Sequence, residues 1–257
     1  MLSVSEYKLM QSWNVKYPDG IIKLDFKNIH SSWFVFIKEI IENTDINKIE
    51  KGLMQTLRLN KKIFPYPDLV FAPFIYTNFD DINVVIIGQD PYFKSESGIP
   101  QAMGLSFSVA DGLNIPSSLD NIYKNMQKFG HIHYKPTTGN LQFLAYQGVL
   151  LLNTSLTVPE NEKNAHEDLW AAMTDLIIVK LSSIKNNLIF VLWGNSAFKK
   201  HLLIDKTKHK IIISSHPSGL SCNTMLKTYP AFNDCDHFGQ INNYLREKNK
   251  RELIYGL

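Results

Sequence analysis

Four short apolar runs limit what this chain can fold into. Residues 84–87 read VVII, 149–153 VLLLN, 188–194 LIFVLWG, and a fourth run, KIII, opens at 210. Continuous aliphatic and β-branched runs of this length suit strands buried on both faces, as in a parallel sheet. Helical spacing fills the gaps: Leu119, Ile122, Met126 and Phe129, then Leu169, Met173, Ile177 and Leu181, and finally Phe238, Ile241 and Leu245. Strands alternating with helices predict an α/β fold. The expected architecture is a single-domain three-layer sandwich with a central, mainly four-stranded parallel sheet and helices on both faces.

Earlier segments fit around that sheet. Ser31 and Ser32 are candidate caps for a helix bearing Trp33, Phe34, Ile37, Ile40 and Ile41, and Ile46 to Leu59 predicts a second helix. Residues 63–74, IFPYPDLVFAPF, are too rich in proline and aromatics for a regular element. Ser117 three residues before Asp120 suggests a capping box. Residues 139–147 suggest a short helix, and Asn195 is placed to cap another. Residues 1–30 show no clear period and are expected to be an extension packed on, or flanking, a domain at 31–257.

Composition narrows the function. At 257 residues, 44% apolar and 20% charged, the chain is of globular type and of a size for one α/β domain. No apolar run is long enough to span a bilayer, and the N-terminus lacks a basic stretch followed by an apolar one. An intracellular protein, nuclear or cytoplasmic according to its source and neither secreted nor membrane-bound, is expected. Cys222 and Cys235 are too few for a disulfide framework or a zinc site, so no metal or other cofactor is expected. The net charge of +3 divides unevenly, +7 from Lys180 onward and −4 before it. Such a basic half suits a polyanion, although a solvated lysine surface would look the same. With Arg58, Arg246 and Arg251 the only arginines, bidentate base readout is not the main device.

The strand ends carry the chemistry. In a parallel sheet they share one edge, where ligands bind. That edge would gather Asp90, Asn153 and His216, with Trp193 beside them. Each alone has a structural explanation as a turn, cap or core residue; their convergence is the signal. There is no GxxxxGK[ST], no GxGxxG after a strand, no HExxH and no GxSxG, which weighs against phosphoryl transfer, dinucleotide use, zinc proteolysis and serine hydrolysis. One carboxylate, one imidazole, one amide and aromatic rings suit a planar hydrogen-bonding ligand whose leaving group needs stabilisation more than protonation.

Five stretches, GQDPY at 88–92, GLSFSV at 104–109, LLLN at 150–153, LWG at 192–194 and HPSGLS at 216–221, resemble the motif set of family-1 uracil-DNA glycosylases. The resemblance runs in order from about Trp33 to the last helix and makes 31–257 the catalytic domain. It implies hydrolysis of the N-glycosidic bond of deoxyuridine flipped out of single- or double-stranded DNA, in base-excision repair. By the family pattern, Asp90 would activate water and stabilise the cationic sugar, and His216 would hydrogen-bond uracil O2 as charge builds there. Phe107 would stack on uracil, Asn153 would read its edge, Tyr92 would exclude the thymine methyl and Gln89 would line the pocket. Leu220 would wedge into the base stack, while Ser118, Ser218 and Ser221 would grip phosphates. A monomer without cofactor is implied, with a protein inhibitor or replication factor as a further partner.

The chain departs from the family on its DNA-gripping loops. Phe93 stands where the family usually has a phosphate-contacting histidine. The loop from Lys94 to Pro100 is longer, and the proline run before Ser118 is reduced to Pro116. Gly219 replaces a common proline and is expected to loosen the Leu220 loop, and the 222–230 loop is longer and lacks the family's arginine. An active but divergent enzyme is the leading expectation. The alternative is a DNA-binding or scaffold protein serving replication, with dispensable catalysis. A hydrolase of free nucleosides is disfavoured by the basic C-terminal part and Leu220.

Overall fold

The computed structural model describes residues 1–256. Its centre is a parallel sheet of β1 (Val84–Gly88), β2 (Val149–Asn153), β3 (Ile189–Trp193) and β4 (Lys210–Ser214), in the order β2-β1-β3-β4. The first three are buried along their whole length, which is why they lack the polar alternation of a half-exposed strand. β4, at the edge, starts on an exposed Lys210.

Alternate residues feed two cores, because successive side chains of a strand point to opposite faces. Val85, Ile87, Leu150, Leu152, Phe190 and Leu192 face one layer. Val84, Ile86, Val149, Leu151, Ile189 and Val191 face the other. An N-terminal helix, α1 (Val4–Leu9), precedes α2 (Phe34–Glu42) and α3 (Ile46–Arg58); α4 (Ser117–Lys128), α5 (Glu167–Ile184) and α6 (His237–Glu247) follow in the chain. The first face is covered by α2, α3 and α5, which bury Ile37, Leu53 and Ile177 among others. The second is covered by α4 and α6, through Leu119, Met126, Phe238 and Leu245. The three-layer sandwich is the architecture expected from the apolar runs.

Several local expectations are corrected. Neither Ser31 nor Ser32 caps α2: His30 Nδ1 accepts from the Ser32 amide, and Ser32 Oγ accepts from the Phe79 amide 3.0 Å away. Phe34 is exposed rather than part of the buried stripe. No capping box forms at α4; Asp120 instead pairs with Lys124 at 2.7 Å and with Lys135. Asn195 makes no side-chain cap. Residues 63–74 do form regular pieces: a two-residue strand pairing Ile63–Phe64 with Val158–Pro159, a 3-10 turn at Pro67–Leu69 and a short helix at Ala72–Tyr76.

Residues 1–30 contain a capping box of their own. Ser3 Oγ accepts from the Glu6 amide, and Glu6 accepts from the Ser3 amide at 2.7 Å. Tyr7, Trp13 and Ile22 are buried. The Tyr7 hydroxyl donates to Ala102 O at 2.7 Å, and the Trp13 indole donates to Pro65 O at 2.8 Å.

Candidate active site

β1 and β3 are neighbours whose chains leave in opposite directions, to β2 and to β4. A crevice opens beyond their carboxyl ends for that reason. The cavity there has a volume of about 680 Å³. Gln89, Asp90, Tyr92, Phe107, Asn153 and His216 line it, as do Ser118, Ser218, Leu220 and Ser221. The structure thus brings all ten sequence-predicted residues to one place.

Register and close backbone approach set the inner wall. Gly88 pairs with Asn153, the Thr154 amide donates to Gly88 O at 3.0 Å, and the Ser155 amide donates to Gln89 O at 2.9 Å. A Cβ on Gly88 would lie 2.2 Å from Asn153 Oδ1 and 2.8 Å from Ser106 Cβ, so only glycine fits beside the amide. Asn153 is 3% exposed, and its side-chain amide has no protein partner among the described residues. An amide that opens onto the cavity without a protein partner is free to meet a ligand's polar edge.

Phe107 sits at φ +63°, a left-handed conformation unusual for an aromatic residue. Its neighbours hold it there. The Ser106 amide donates to Leu151 O at 3.2 Å, and Ser108 Oγ accepts from the Leu141 amide at 2.9 Å. The Tyr92 hydroxyl donates to Phe107 O at 3.2 Å, and burial pushes that phenol's pKa up. Trp193 meets the Phe107 ring edge-on, 5.3 Å between centroids at 67°. Trp193 is itself fixed: its indole N–H donates to His237 Nδ1 at 3.2 Å, and His237 Nε2 donates to Phe232 O at 3.1 Å.

The two polar reactive groups are tuned by burial. Desolvation raises the pKa of Asp90 above the usual carboxylate range, while the Asn164 amide, donating to Oδ2 at 2.9 Å, and the Lys163 charge oppose that rise. Desolvation pushes His216 down to about 4, assisted by Lys163. The imidazole is therefore neutral near pH 7. The Ser218 amide donates to His216 Nδ1 at 3.0 Å, which makes Nδ1 an acceptor and puts the ring proton on Nε2. Gly194, at φ +89°, leaves room for this ring: a Cβ there would come within 2.8 Å of His216 Cβ. The site thus presents a carboxylate and a neutral N–H donor, a pair suited to a bond whose electrons depart onto an acceptor oxygen.

Sequence reasoning missed Lys94, Lys163 and Asn164. Asn164 adopts φ +63° within the polar stretch ENEKN, and nothing in those residues marks them as neighbours of Asp90. Two of the outer loops carry contacts that their sequence does not suggest. Phe93 packs against Phe64, Ala102 and Val158, and the long segment after Lys94 folds into a hairpin pairing Ser95–Glu96 with Ile99–Pro100.

Comparison with known proteins agrees with the geometry. A family model described as the uracil DNA glycosylase superfamily matches residues 74–246. A probable uracil-DNA glycosylase of Acanthamoeba polyphaga mimivirus is 39% identical over 259 residues, covering 96% of this chain and 70% of that protein. A uracil-DNA glycosylase of Francisella philomiragia is 42% identical, covering 85% of this chain and 96% of its own. The crystal structure of mimivirus uracil-DNA glycosylase superposes with a TM-score of 0.94 at 36% identity, covering 100% of this chain and 97% of that one. The motif resemblance and the fold lead to one family, and the chain belongs to the uracil-DNA glycosylase superfamily.

Proposed function

We propose that Asp90 and His216 together hydrolyse the N-glycosidic bond of a deoxyuridine flipped out of DNA. The bond between sugar C1′ and uracil N1 breaks, and its electron pair leaves with the base. Positive charge on the sugar is countered by the Asp90 carboxylate, which also orients the attacking water. The water oxygen joins C1′, one of its protons passes to the carboxylate or solvent, and the uracil anion is later protonated. His216 donates from Nε2 to uracil O2 as negative charge grows there. Uracil spreads that charge over its ring oxygens, so a second carboxylate acting as acid is not required.

The observation that carries this reading is the Ser218 amide on His216 Nδ1 at 3.0 Å, which leaves Nε2–H as the donor. Asn153 reads the base by accepting from N3–H and donating to O4, a pattern that cytosine reverses. Phe107 supplies the stacking face, Tyr92 blocks the 5-methyl of thymine, and Gln89 closes the wall. Leu220, 97% exposed at the rim, fits the role of a wedge, with Ser118, Ser218 and Ser221 beside it for the phosphates.

The reading extends to a monomer acting inside the cell, with a protein inhibitor as partner. Two variants of the mimivirus protein have been solved in complex with UGI. Among the described residues, no helix is long and apolar enough to cross a membrane.

The test is uracil release from a single-uracil oligonucleotide by wild type and Asp90→Asn. Wild type should release uracil, and the variant should lose turnover by orders of magnitude while still binding the oligonucleotide. A folded wild type that released none would overturn the reading, and equal rates would remove Asp90 from it.

A further inference from the structure

We propose that Lys94 and Lys163 form a cationic rim that takes DNA backbone phosphates on the Asp90 side of the pocket. The inference rests on the uracil-excision reading and adds a contact that none of the motif residues supplies.

Asp90 is the one acid in the pocket lining, and Lys94 and Lys163 are its two cations. Both lysines are exposed, and among the described residues neither ammonium has an ion-pair or hydrogen-bond partner. The two glutamates just before Lys163 in sequence, Glu160 and Glu162, are occupied. Glu160 is held by Ser95 Oγ at 2.6 Å and by Lys62 at 3.3 Å, and Glu162 is held by Lys61 at 2.6 Å. Within the stretch ENEKN, then, the two glutamates are neutralised from behind and Lys163 is left over.

The rim is built rather than loose. The Asn161 amide donates to Phe93 O at 2.8 Å, and the Asn164 amide donates to Asp90 Oδ2 at 2.9 Å, which ties the 158–166 loop to the loop after β1. The Gln101 amide donates to Lys94 O at 3.0 Å and closes the hairpin whose base carries Lys94. Two cations are thus fixed by their backbones at the mouth of a cavity whose other rim offers only neutral donors, Ser117, Ser118, Ser196, Ser218 and Ser221. A base inside the cavity brings its flanking phosphates to that mouth. Serines can position those phosphates; only the lysines can replace their counterions.

Charge neutralisation has a signature that positioning lacks. Each phosphate contact made by a lysine adds about 0.9 to the log–log salt slope on duplex DNA and about 0.7 on single strands. The experiment measures kcat/KM for uracil release against salt concentration for wild type, Lys94→Gln, Lys163→Gln, Lys163→Arg and, as a control, Lys51→Gln. Lys51 is an exposed lysine on α3, away from the pocket. Each rim Gln variant should make the duplex slope shallower by about 0.9. Lys163→Arg and Lys51→Gln should keep the full slope. Unchanged slopes in both rim Gln variants would overturn the proposal. So would a fall in kcat at constant slope, which would make Lys163 act on the bond-breaking step through the charge it places near Asp90. If wild type released no uracil, the excision reading would fail by itself; the slope of duplex binding by the same variants would then judge the rim alone.

Discussion

Gly88→Ala tests the proposed base reading by Asn153 through a single added methyl. The new methyl would lie 2.2 Å from Asn153 Oδ1, more than 1 Å inside ordinary contact, with Ser106 Cβ 2.8 Å away on its other side. The backbone cannot recede, because Gly88 and Asn153 are paired in register and Gly88 O already accepts from Thr154. The Asn153 side chain must turn instead, and both of the bonds proposed for it to the base would be lost. At about 1–2 kcal/mol per bond, transition-state stabilisation falls by about 2–4 kcal/mol, or roughly 30- to 900-fold in kcat/KM. Overpacking should separately cost about 1–3 kcal/mol of stability. The assay is single-turnover uracil release, read beside thermal unfolding of the same sample. Release within about threefold of wild type, with the melting temperature lowered, would refute the reasoning, since the methyl would then be accommodated without disturbing the base-reading amide.

Tyr92→Ala should raise thymine release relative to uracil release by about 10- to 200-fold, the range a single methyl is worth in a pocket; the check is base release from oligonucleotides differing only in that methyl, and an unchanged ratio would remove Tyr92 as the gate. His166, His216 and His237 are each lowered from 6.5 to about 4, mainly by burial. The unfolded chain therefore binds more protons than the fold between those values. The stability from keeping these rings neutral is complete above about pH 6.5 and is lost as pH falls through about 4, at about 3 kcal/mol per ring. Imidazole NMR at pH 5 should show these three of the eight histidines still neutral, and titration of all eight near 6.5 would contradict it.

The strands and the pocket were legible for a simple reason. A strand buried on both faces has no freedom to be polar, so β1, β2 and β3 announce themselves as unbroken apolar runs, and a parallel sheet forces their ends together. Helix starts were less legible. SVSE at 3–6 and SSLD at 117–120 follow nearly the same pattern, yet only the first closes a capping box. At the second, Pro116 occupies the cap and Ser117 is already the first helical residue, so its hydroxyl is not placed to close the box, and Asp120 pairs with Lys124 and Lys135 instead. The conformation of Phe107 and the Asn164 amide on Asp90 were illegible because both depend on chain segments distant in sequence. No local pattern encodes that the ring proton of His216 lies on Nε2; the turn that brings the Ser218 amide back onto the ring decides it.

The order β2-β1-β3-β4 also sets a schedule. The strand made first lies inside the sheet, and its neighbours are made much later. At about 5–20 residues per second, the ribosome needs roughly 6–25 s to pass from Asp90 to His216. Until β3 is made, β1 keeps an open hydrogen-bonding edge, and the face that α6 helps to cover is incomplete. A nascent chain stalled anywhere before β3 therefore exposes the sticky centre of the sheet and has no working pocket. Truncated products of this protein should be cleared or aggregate rather than linger as weak enzymes.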